Sequence, residues 1–438
     1  MRGSGKKIKL NIDAPLIIAV VSLLIIGILS IYSANIMKPR YHSKYLKQLV
    51  ALILGLILFF VFMWVEYHRY SDMWLLLYGI SIVLLLITYI FARRIHGAKS
   101  WIFIAGQGFQ PSEFVKILTI IWLARYLDQI KKRVHELKYF VFSLFFTLPV
   151  VGLILMQPDF GTALVYFPII LTMMYVAGAD KKHLIVLIGV ALIGIGIPLI
   201  TFYFGEVLKV KSSLVKIMNK SSVMFMVSFI LFAVAGVCYV LHKRFKDKIL
   251  RAAMLITLCL SLGFTVSIAA KSFLQKHHYS RFLAFIDTDR IDPRGAGWNI
   301  NQSLTAIGAG GFTGQGFLNG NQKNGGFLPA QDTDFIFSVI AEEWGFVGAI
   351  VIIILYLVII YRGINVIFNA KDMIGSLIAT GITSMFFFHI LINIGMAAGI
   401  MPVMGLPLPF LSSGGSFLLT CMMAVGLLLN IELRRYVY

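Results

Sequence analysis

Apolar residues in this chain of 438 residues fall into long blocks separated by short polar stretches. The blocks are about 17–25 residues long, the length that a helix needs to cross roughly 30 Å of hydrocarbon. Strands of a membrane barrel would alternate polar and apolar residues, and these blocks do not, so they predict helices. Twelve spans are predicted, at 14–36, 46–66, 72–91, 113–127, 139–156, 161–177, 184–204, 223–241, 249–270, 334–361, 375–399 and 413–431.

The predicted fold is all-α: a polytopic bundle in the membrane, taken as one domain over 1–438, with about ten core spans. The other two spans lie in 205–270, which has Lys-rich connections and few polar residues inside its apolar blocks. This texture favours an inserted accessory helical hairpin. The densest polar stretch, 271–333, is predicted to be a large extracytoplasmic loop that carries the chemistry.

Composition excludes a soluble globule, since 59% of the residues are hydrophobic, 13% are charged and the mean hydropathy is +0.87. The formal net charge is +20, but the Lys and Arg residues sit in short connections between apolar blocks. That distribution favours membrane lipids or a phosphorylated lipid substrate as partners, and not nucleic acid. The three cysteines lie inside apolar blocks without metal-ligand spacing, which is typical of packing residues.

Basic residues also predict the orientation of the spans. Clusters such as Lys131–Arg133 and Lys243–Lys248 fall on the same side as both termini if the spans alternate. Both termini are therefore predicted to be cytoplasmic, and 271–333 extracytoplasmic. The opposite side carries nearly as many cations, and an anionic substrate handled there would account for them.

Two polar stretches interrupt the apolar blocks before the main loop. In the first, Pro111 and Ser112 are good helix-starting residues, which places Glu113 and Lys116 on one face of the next span. Charges at that depth must be paired or face a wet cavity, so both a structural ion pair and a site-lining role stay open. In the second, Asp159 either caps the following helix or lines the site.

A set of separated motifs, in this order, resembles the shape, elongation, division and sporulation (SEDS) family, and its elongation branch more than its division branch. The motifs cover nearly the whole chain except about 205–270. They are Gly97-Ala98 with Trp101, Gln110-Pro-Ser-Glu113 with Lys116, Gln157-Pro-Asp-Phe-Gly-Thr162, Asp292-Pro-Arg-Gly-Ala-Gly297, Gln302-Ser303, Gly310-Gly311, Thr333-Asp-Phe-Ile-Phe337, Glu342-Glu343, and Pro407-Leu-Pro-Phe410 with Gly414-Gly-Ser416.

The resemblance implies a peptidoglycan glycosyltransferase of the bacterial cytoplasmic membrane that polymerises lipid II on the outer face during cell elongation. It implies a class B penicillin-binding protein as transpeptidase partner, together with other elongation-complex proteins. It places the catalytic aspartate at Asp292 and the loop tryptophan at Trp101. Family members usually have about ten spans, so the two extra spans are a departure.

The reaction requires a sugar hydroxyl to lose its proton while it attacks an anomeric carbon and a diphosphate leaves. Asp292 is predicted to be the general base or a ligand of a divalent cation, Mg²⁺ or Mn²⁺, and no organic cofactor is expected. Positive charge would stabilise the leaving diphosphate. The predicted substrate-binding residues are Trp101, Lys99, Glu113, Lys116, Arg281, Gln302 and Ser303; the predicted structural or cavity residues are Gln110, Pro111, Ser112, Asp159, Asp334, Glu342 and Glu343.

Two other functions would share parts of this pattern. A lipid II flippase would also show broken helices and buried charges, but it would concentrate them at the midplane, with internal symmetry between its halves. A scaffold that recruits cell-wall enzymes would tolerate Asp292→Asn. The concentration of polar residues in a single predicted outer loop favours the glycosyltransferase.

Overall fold

The computed structural model describes residues 13–36, 43–95, 98–104, 107–210, 218, 220–274, 276–286 and 295–435. The chain forms two compact units. Unit 1 comprises Met1–Gly178 and Asn299–Tyr438, and unit 2 comprises Ala179–Trp298.

The first part of unit 1 is built from apolar helices with one small sheet between them. Its helices are α1 (Ala14–Asn35), α2 (Ser43–Trp64), the short α3 (Tyr67–Asp72), α4 (Trp74–Phe91), α5 (Pro111–Ile130), α6 (Leu137–Met156) and α7 (Phe160–Val176). Two residues favour the start of the first helix at this position. Asp13 caps it, its Oδ1 accepting from the Leu16 amide at 3.2 Å, and a proline follows in the first turn.

A small antiparallel sheet of three strands precedes α5. It runs in the order β1 (Arg93–Ile95), β2 (Ala98–Ile104) and β3 (Gln107–Phe109), with Ile102 opposite Phe109. The sequence interpretation gave this stretch only as a polar interruption. The strands are too short to show a period-2 pattern above the noise, which is why the sheet went unpredicted.

The second part of unit 1 contains α12 (Ala296–Gly310), which begins in unit 2, the short α13 (Asn321–Asn324), α14 (Ile336–Asn369), α15 (Met373–Ala397) and α16 (Gly415–Leu433). Helices α15 and α16 form the centre, since 72% and 83% of their most apolar windows are buried, and α5 packs against both. The Pro-rich segment 402–413 precedes α16. Gly161 of α7 lies close to the backbone of this segment: an added Cβ would be 2.4 Å from the Met404 carbonyl oxygen.

Helix α14 is broken at Gly345, whose φ of +66° and ψ of −161° are not helical. Segment 311–316 satisfies the backbone groups that the break frees. The Gly311 carbonyl accepts from the Phe346 amide at 2.9 Å, and the amide of Gly316 donates to the Glu343 carbonyl at 2.9 Å. An added Cβ on Gly345 would lie 2.3 Å from the Gly314 nitrogen, so a glycine is required there.

Unit 2 contains α8 (Lys181–Phe202), a π-helical turn (Tyr203–Val207), α9 (Ser221–Phe245), α10 (Lys248–Phe273) and α11 (Lys276–Leu283). Helix α10 packs against both α8 and α9. Gly194 of α8 and Gly263 of α10 let these two backbones approach, each facing a β-branched side chain of the other helix.

The interface between α9 and α10 carries a hydrogen-bonded group of hydroxyls. Ser228 Oγ lies 2.9 Å from the Ser261 carbonyl oxygen and 2.8 Å from Thr265 Oγ1, and Ser261 Oγ donates back to the Ser228 carbonyl at 2.9 Å. The sequence interpretation treated these spans as nearly free of buried polar residues. Ser and Thr residues inside apolar blocks do not by themselves predict a contact between helices, because their hydroxyls commonly bond to a carbonyl of their own helix.

Helices occupy all twelve predicted spans. Among the described residues, ten helices are long and apolar enough to cross a membrane, and the predicted all-α, multi-pass fold is confirmed. The other two predicted spans correspond to α5, a buried helix of 20 residues, and α7, a shorter helix of 17 residues. The interval 271–333, expected to be a loop, contains α11, α12 and α13, so it is more regular than its glycine content indicated.

Candidate functional site

The amino-terminal ends of α5, α7 and α16 are joined by Gln110. Its amide nitrogen donates to Ser416 Oγ at 2.9 Å, and its side-chain Nε2 donates to Asp159 Oδ2 at 2.6 Å. The other oxygen of Asp159 accepts from the Thr162 amide at 3.2 Å. Asp159 is therefore the helix cap that the local sequence favoured, and it also binds a neighbouring motif.

The first turn of α5 has the local structure that its sequence predicts. Pro111 occupies the first helical position, where its missing N–H costs nothing. Ser112 is fully buried, and its carbonyl accepts from the Tyr166 hydroxyl of α7 at 3.0 Å. These contacts fix the start of α5 and hence the depth at which its two charged side chains lie.

Glu113 and Lys116 form a buried ion pair. The Lys116 ammonium lies 3.0 and 2.9 Å from the two carboxylate oxygens of Glu113, and neither residue is more than 3% exposed. His389 of α15 supplies a third contact, with Nε2 at 3.0 Å from Lys116 Nζ. The ring of Phe417 lies beside the ammonium, 5.6 Å away at its centroid. The i,i+3 pairing matches the sequence prediction; His389 was not predicted.

A second buried charge cluster lies where α14 begins. Lys323 of α13 bonds to Glu343, and Ser33 of α1 bonds to both, its hydroxyl lying 2.7 Å from Lys323 Nζ. Glu342 accepts from the amides of Gln322 and Lys323 at 2.6 and 3.2 Å. Both glutamates and the lysine are at most 2% exposed. The two predicted carboxylates thus hold segment 318–324 in place.

Ser303 and Asp334 take part in packing around α12, α14 and α15. Ser303 Oγ lies 2.6 Å from both the Ala397 carbonyl oxygen and Ser338 Oγ. The Asp334 carbonyl accepts from Asn393 Nδ2 at 3.0 Å. Ser303 is fully buried and its hydroxyl bonds to two protein groups, so the structure favours a structural role over the predicted contact with substrate.

Lys99 and Trp101 lie on β2. The Lys99 amide donates to the Gln157 carbonyl at 2.9 Å, and its ammonium donates to the Ile90 carbonyl at 3.1 Å beside the Tyr89 ring. Trp101 is half-buried, and Gly108 faces its indole so closely that a Cβ there would be 3.0 Å from the ring. The indole of Trp101 is therefore held against Gly108 while part of it stays accessible to a ligand.

The remaining predicted site residues are Gln302, Arg281 and Asp292. Gln302 is half-buried on α12 of unit 1, and Arg281 is half-buried on α11 of unit 2. Asp292, the predicted catalytic residue and metal ligand, lies outside the described residues. Within the described part of the chain, no group of three His, Cys, Asp or Glu side chains is arranged to hold a metal ion.

Sequence reasoning missed His389, Lys323 and Ser33. A lone histidine inside an apolar span is a recognisable signal, because an ionisable residue at that depth needs a partner. Lys323 offered no such signal, since it lies among polar loop residues and its burial depends on contacts with distant parts of the chain.

Fold and site together define a multi-pass helical membrane protein in which paired charges are buried at the ends of the central helices. The chain matches the family model of the cell cycle proteins FtsW, RodA and SpoVE over residues 14–218 and 199–436, and it belongs to that family. The resemblance to the SEDS family is therefore confirmed.

Two relatives cover nearly the whole chain. The peptidoglycan glycosyltransferase RodA of Treponema pallidum is 37% identical over 97% of this chain and 98% of its own length. Stage V sporulation protein E of Bacillus subtilis is 31% identical, again over 97% and 98% of the two chains.

Solved structures agree with the fold. A chain from a peptidoglycan synthase complex that coordinates polymerization and crosslinking has a TM-score of 0.68 at 26% identity, covering 98% of this chain and 99% of that one. RodA of Thermus thermophilus has a TM-score of 0.61 at 25% identity, with the same coverage.

Proposed function

We propose that this protein is a peptidoglycan glycosyltransferase that polymerises lipid II into glycan strands during cell elongation. The observation that carries the proposal is the 37% identity to a peptidoglycan glycosyltransferase RodA over 97% of the chain. The buried Glu113–Lys116 pair adds a physical reason, because a charged pair at that depth is expensive and is retained where it orders a site.

In the proposed reaction, the 4-hydroxyl of one disaccharide attacks the anomeric carbon of another, and polyprenyl diphosphate leaves. Asp292 accepts the proton of the attacking hydroxyl or holds a divalent cation. A single displacement inverts the anomeric centre. Carboxylate oxygens of this kind suit Mg²⁺ or Mn²⁺, and the cation would supply positive charge at the diphosphate.

Cationic side chains are proposed to stabilise the diphosphate, and within unit 1 Lys99 suits this role better than Lys116. Lys99 is half-buried, whereas Lys116 is fully buried and its ammonium already contacts three acceptors. The contact of Arg281 with substrate stays a prediction. Trp101 would stack on a sugar ring, since its indole is accessible on β2. Lys99 and Trp101 are thus proposed to contact substrate directly, whereas Lys116 is proposed to have a structural role.

The proposed setting follows from the family and from charge. Both termini would be cytoplasmic and the active site extracytoplasmic, in the cytoplasmic membrane of a bacterium. The proposed partner is a class B penicillin-binding protein, with other elongation proteins around it. The similarity to a chain of a peptidoglycan synthase complex supports such a partner.

The test is polymerisation of purified lipid II in detergent, with the class B partner and added Mg²⁺ or Mn²⁺. Wild type should form polymer and Asp292→Asn should form none, while Asp289→Asn serves as the matched control and should stay active. Partner binding of Asp292→Asn shows that it is folded. Lipid II movement across vesicles without any polymer from wild type would instead establish the flippase.

A further inference from the structure

His389 is a buried histidine with two defined polar contacts. It lies on α15 and is fully buried. Its Nδ1 is 3.1 Å from the Pro407 carbonyl oxygen, and its Nε2 is 3.0 Å from Lys116 Nζ. The ring of Phe417 lies 4.6 Å from the imidazole, centroid to centroid. One side chain thus joins α5, α15 and the Pro-rich segment before α16.

The partners determine the tautomer of this ring. A carbonyl oxygen only accepts, so Nδ1 must carry a proton and donate to Pro407. An ammonium only donates, so Nε2 must offer its lone pair to Lys116. The imidazole is therefore neutral, with its proton on Nδ1. This geometry leaves Nε2 unable to take a proton unless Lys116 moves or loses one.

The three N–H groups of Lys116 are matched by three acceptors, the two oxygens of Glu113 and Nε2 of His389, all at 2.9–3.0 Å. Removal of His389 would leave one N–H of the fully buried ammonium without its acceptor. The ammonium would then turn toward Glu113 alone, and the link from α5 to the Pro407 carbonyl would be lost.

We propose that His389 is a positioning residue for the polymerase reaction: it holds the Lys116 ammonium on Glu113 and ties that pair to the Pro-rich segment. This inference rests on the proposed function. His389 acts through Lys116 and does not exchange protons with substrate. The Pro407 carbonyl requires a donor and the Lys116 ammonium requires an acceptor, and a glutamine amide also provides one of each.

The kinetic test compares His389→Leu with His389→Gln in the lipid II assay with the class B partner. His389→Leu should lower kcat about 10- to 100-fold with little change in KM, because a displaced support misplaces reacting groups. His389→Gln should restore kcat to within about threefold of wild type. Its pH profile should match that of wild type, because no proton transfer is lost.

The matched control is Ser384→Ala on the same helix. Its hydroxyl is buried and makes no hydrogen bond to any described residue, so the change should leave kcat unaltered. Wild-type kcat in His389→Leu would overturn the proposal. So would a His389→Gln variant that is as slow as His389→Leu or has a shifted pH profile, since the imidazole would then transfer protons.

A second readout does not depend on activity. Nitrogen-15 spectra of histidine-labelled protein in nanodiscs, with the His389→Gln spectrum for assignment, should show a neutral ring protonated at Nδ1. A charged ring or a proton on Nε2 would overturn the inference even in an active enzyme. Failure of wild type to polymerise lipid II, with the expected spectrum, would instead overturn the proposed function and leave the His389 contacts established.

Discussion

Helix α16 of unit 1 and helix α9 of unit 2 have similar apolar character but opposite surroundings. Their most apolar windows have mean hydropathies of 1.9 and 2.5, yet 83% of the α16 window is buried and only 17% of the α9 window. Large side chains of α9 such as Phe229 and Val237 are more than half exposed, as expected of a surface that faces lipid. Hydropathy finds both helices and does not tell them apart.

The difference lies in which polar groups each region can keep. Burial inside unit 1 allows ionised side chains to be paired away from lipid, as in Glu113–Lys116 and Lys323–Glu343. The interface of α9 and α10 uses hydroxyls instead, whose hydrogen bonds cost little to satisfy along a helix. Mutations should therefore have large effects in unit 1 and small ones between α9 and α10.

The largest effect is expected from Lys323→Met. This change leaves Glu343 buried and without its cation, which should lower the free energy of unfolding by about 3–5 kcal/mol. The double variant Lys323→Met with Glu343→Met removes both charges and should recover most of the loss. The measurement is the midpoint of thermal unfolding in detergent.

Lys131→Met is the matched control, because Lys131 pairs with Asp128 at 3.1 Å with half of its side chain exposed. It should change stability by less than about 0.5 kcal/mol. Equal effects of Lys323→Met and Lys131→Met would show that burial does not determine how much an ion pair contributes to stability.

Gly345→Ala tests the broken helix of unit 1 against a glycine of α9. The substitution requires a Cβ at φ +66° and 2.3 Å from the Gly314 nitrogen, so it should cost about 2–4 kcal/mol. Gly236 of α9 has open space around it, and Gly236→Ala should be neutral or stabilise by up to about 1 kcal/mol. Thermal unfolding of both variants decides; a harmless Gly345→Ala would show that α14 can straighten.

Much of this fold is predictable from the sequence because span length and apolar content are local properties. The i,i+3 spacing predicted that Glu113 and Lys116 share a face, and the structure pairs them. Asp159 was correctly considered as a cap because capping involves only the next few residues. Each of these features depends on residues within one turn of a helix.

The unpredicted features depend on contacts between distant segments. Lys323 and Ser33 are 290 positions apart, and Lys116 and His389 are 273 apart, so no local pattern relates them. The break at Gly345 is stabilised by residues 311–316, which the sequence presents as an ordinary glycine-rich stretch. Asp292 remains a prediction from the motif alone.

The smallest effect is expected from Ser228→Ala at the interface of α9 and α10. Ser228 bonds to Ser261 and Thr265 of the neighbouring helix, and such bonds between membrane helices contribute about 0.5–1 kcal/mol. Thr257→Val is the control, since the bonds of Thr257 within the described part of the chain go to carbonyls of its own helix, the nearer at 2.8 Å from Ala253. It should change stability even less. Thermal unfolding measures both. The Ser261 carbonyl still accepts from Thr265 Oγ1 at 3.0 Å in the variant, which is a reason to expect a small loss. A loss in Ser228→Ala as large as that in Lys323→Met would therefore mean that these hydroxyls stabilise unit 2 as strongly as buried charge pairs stabilise unit 1.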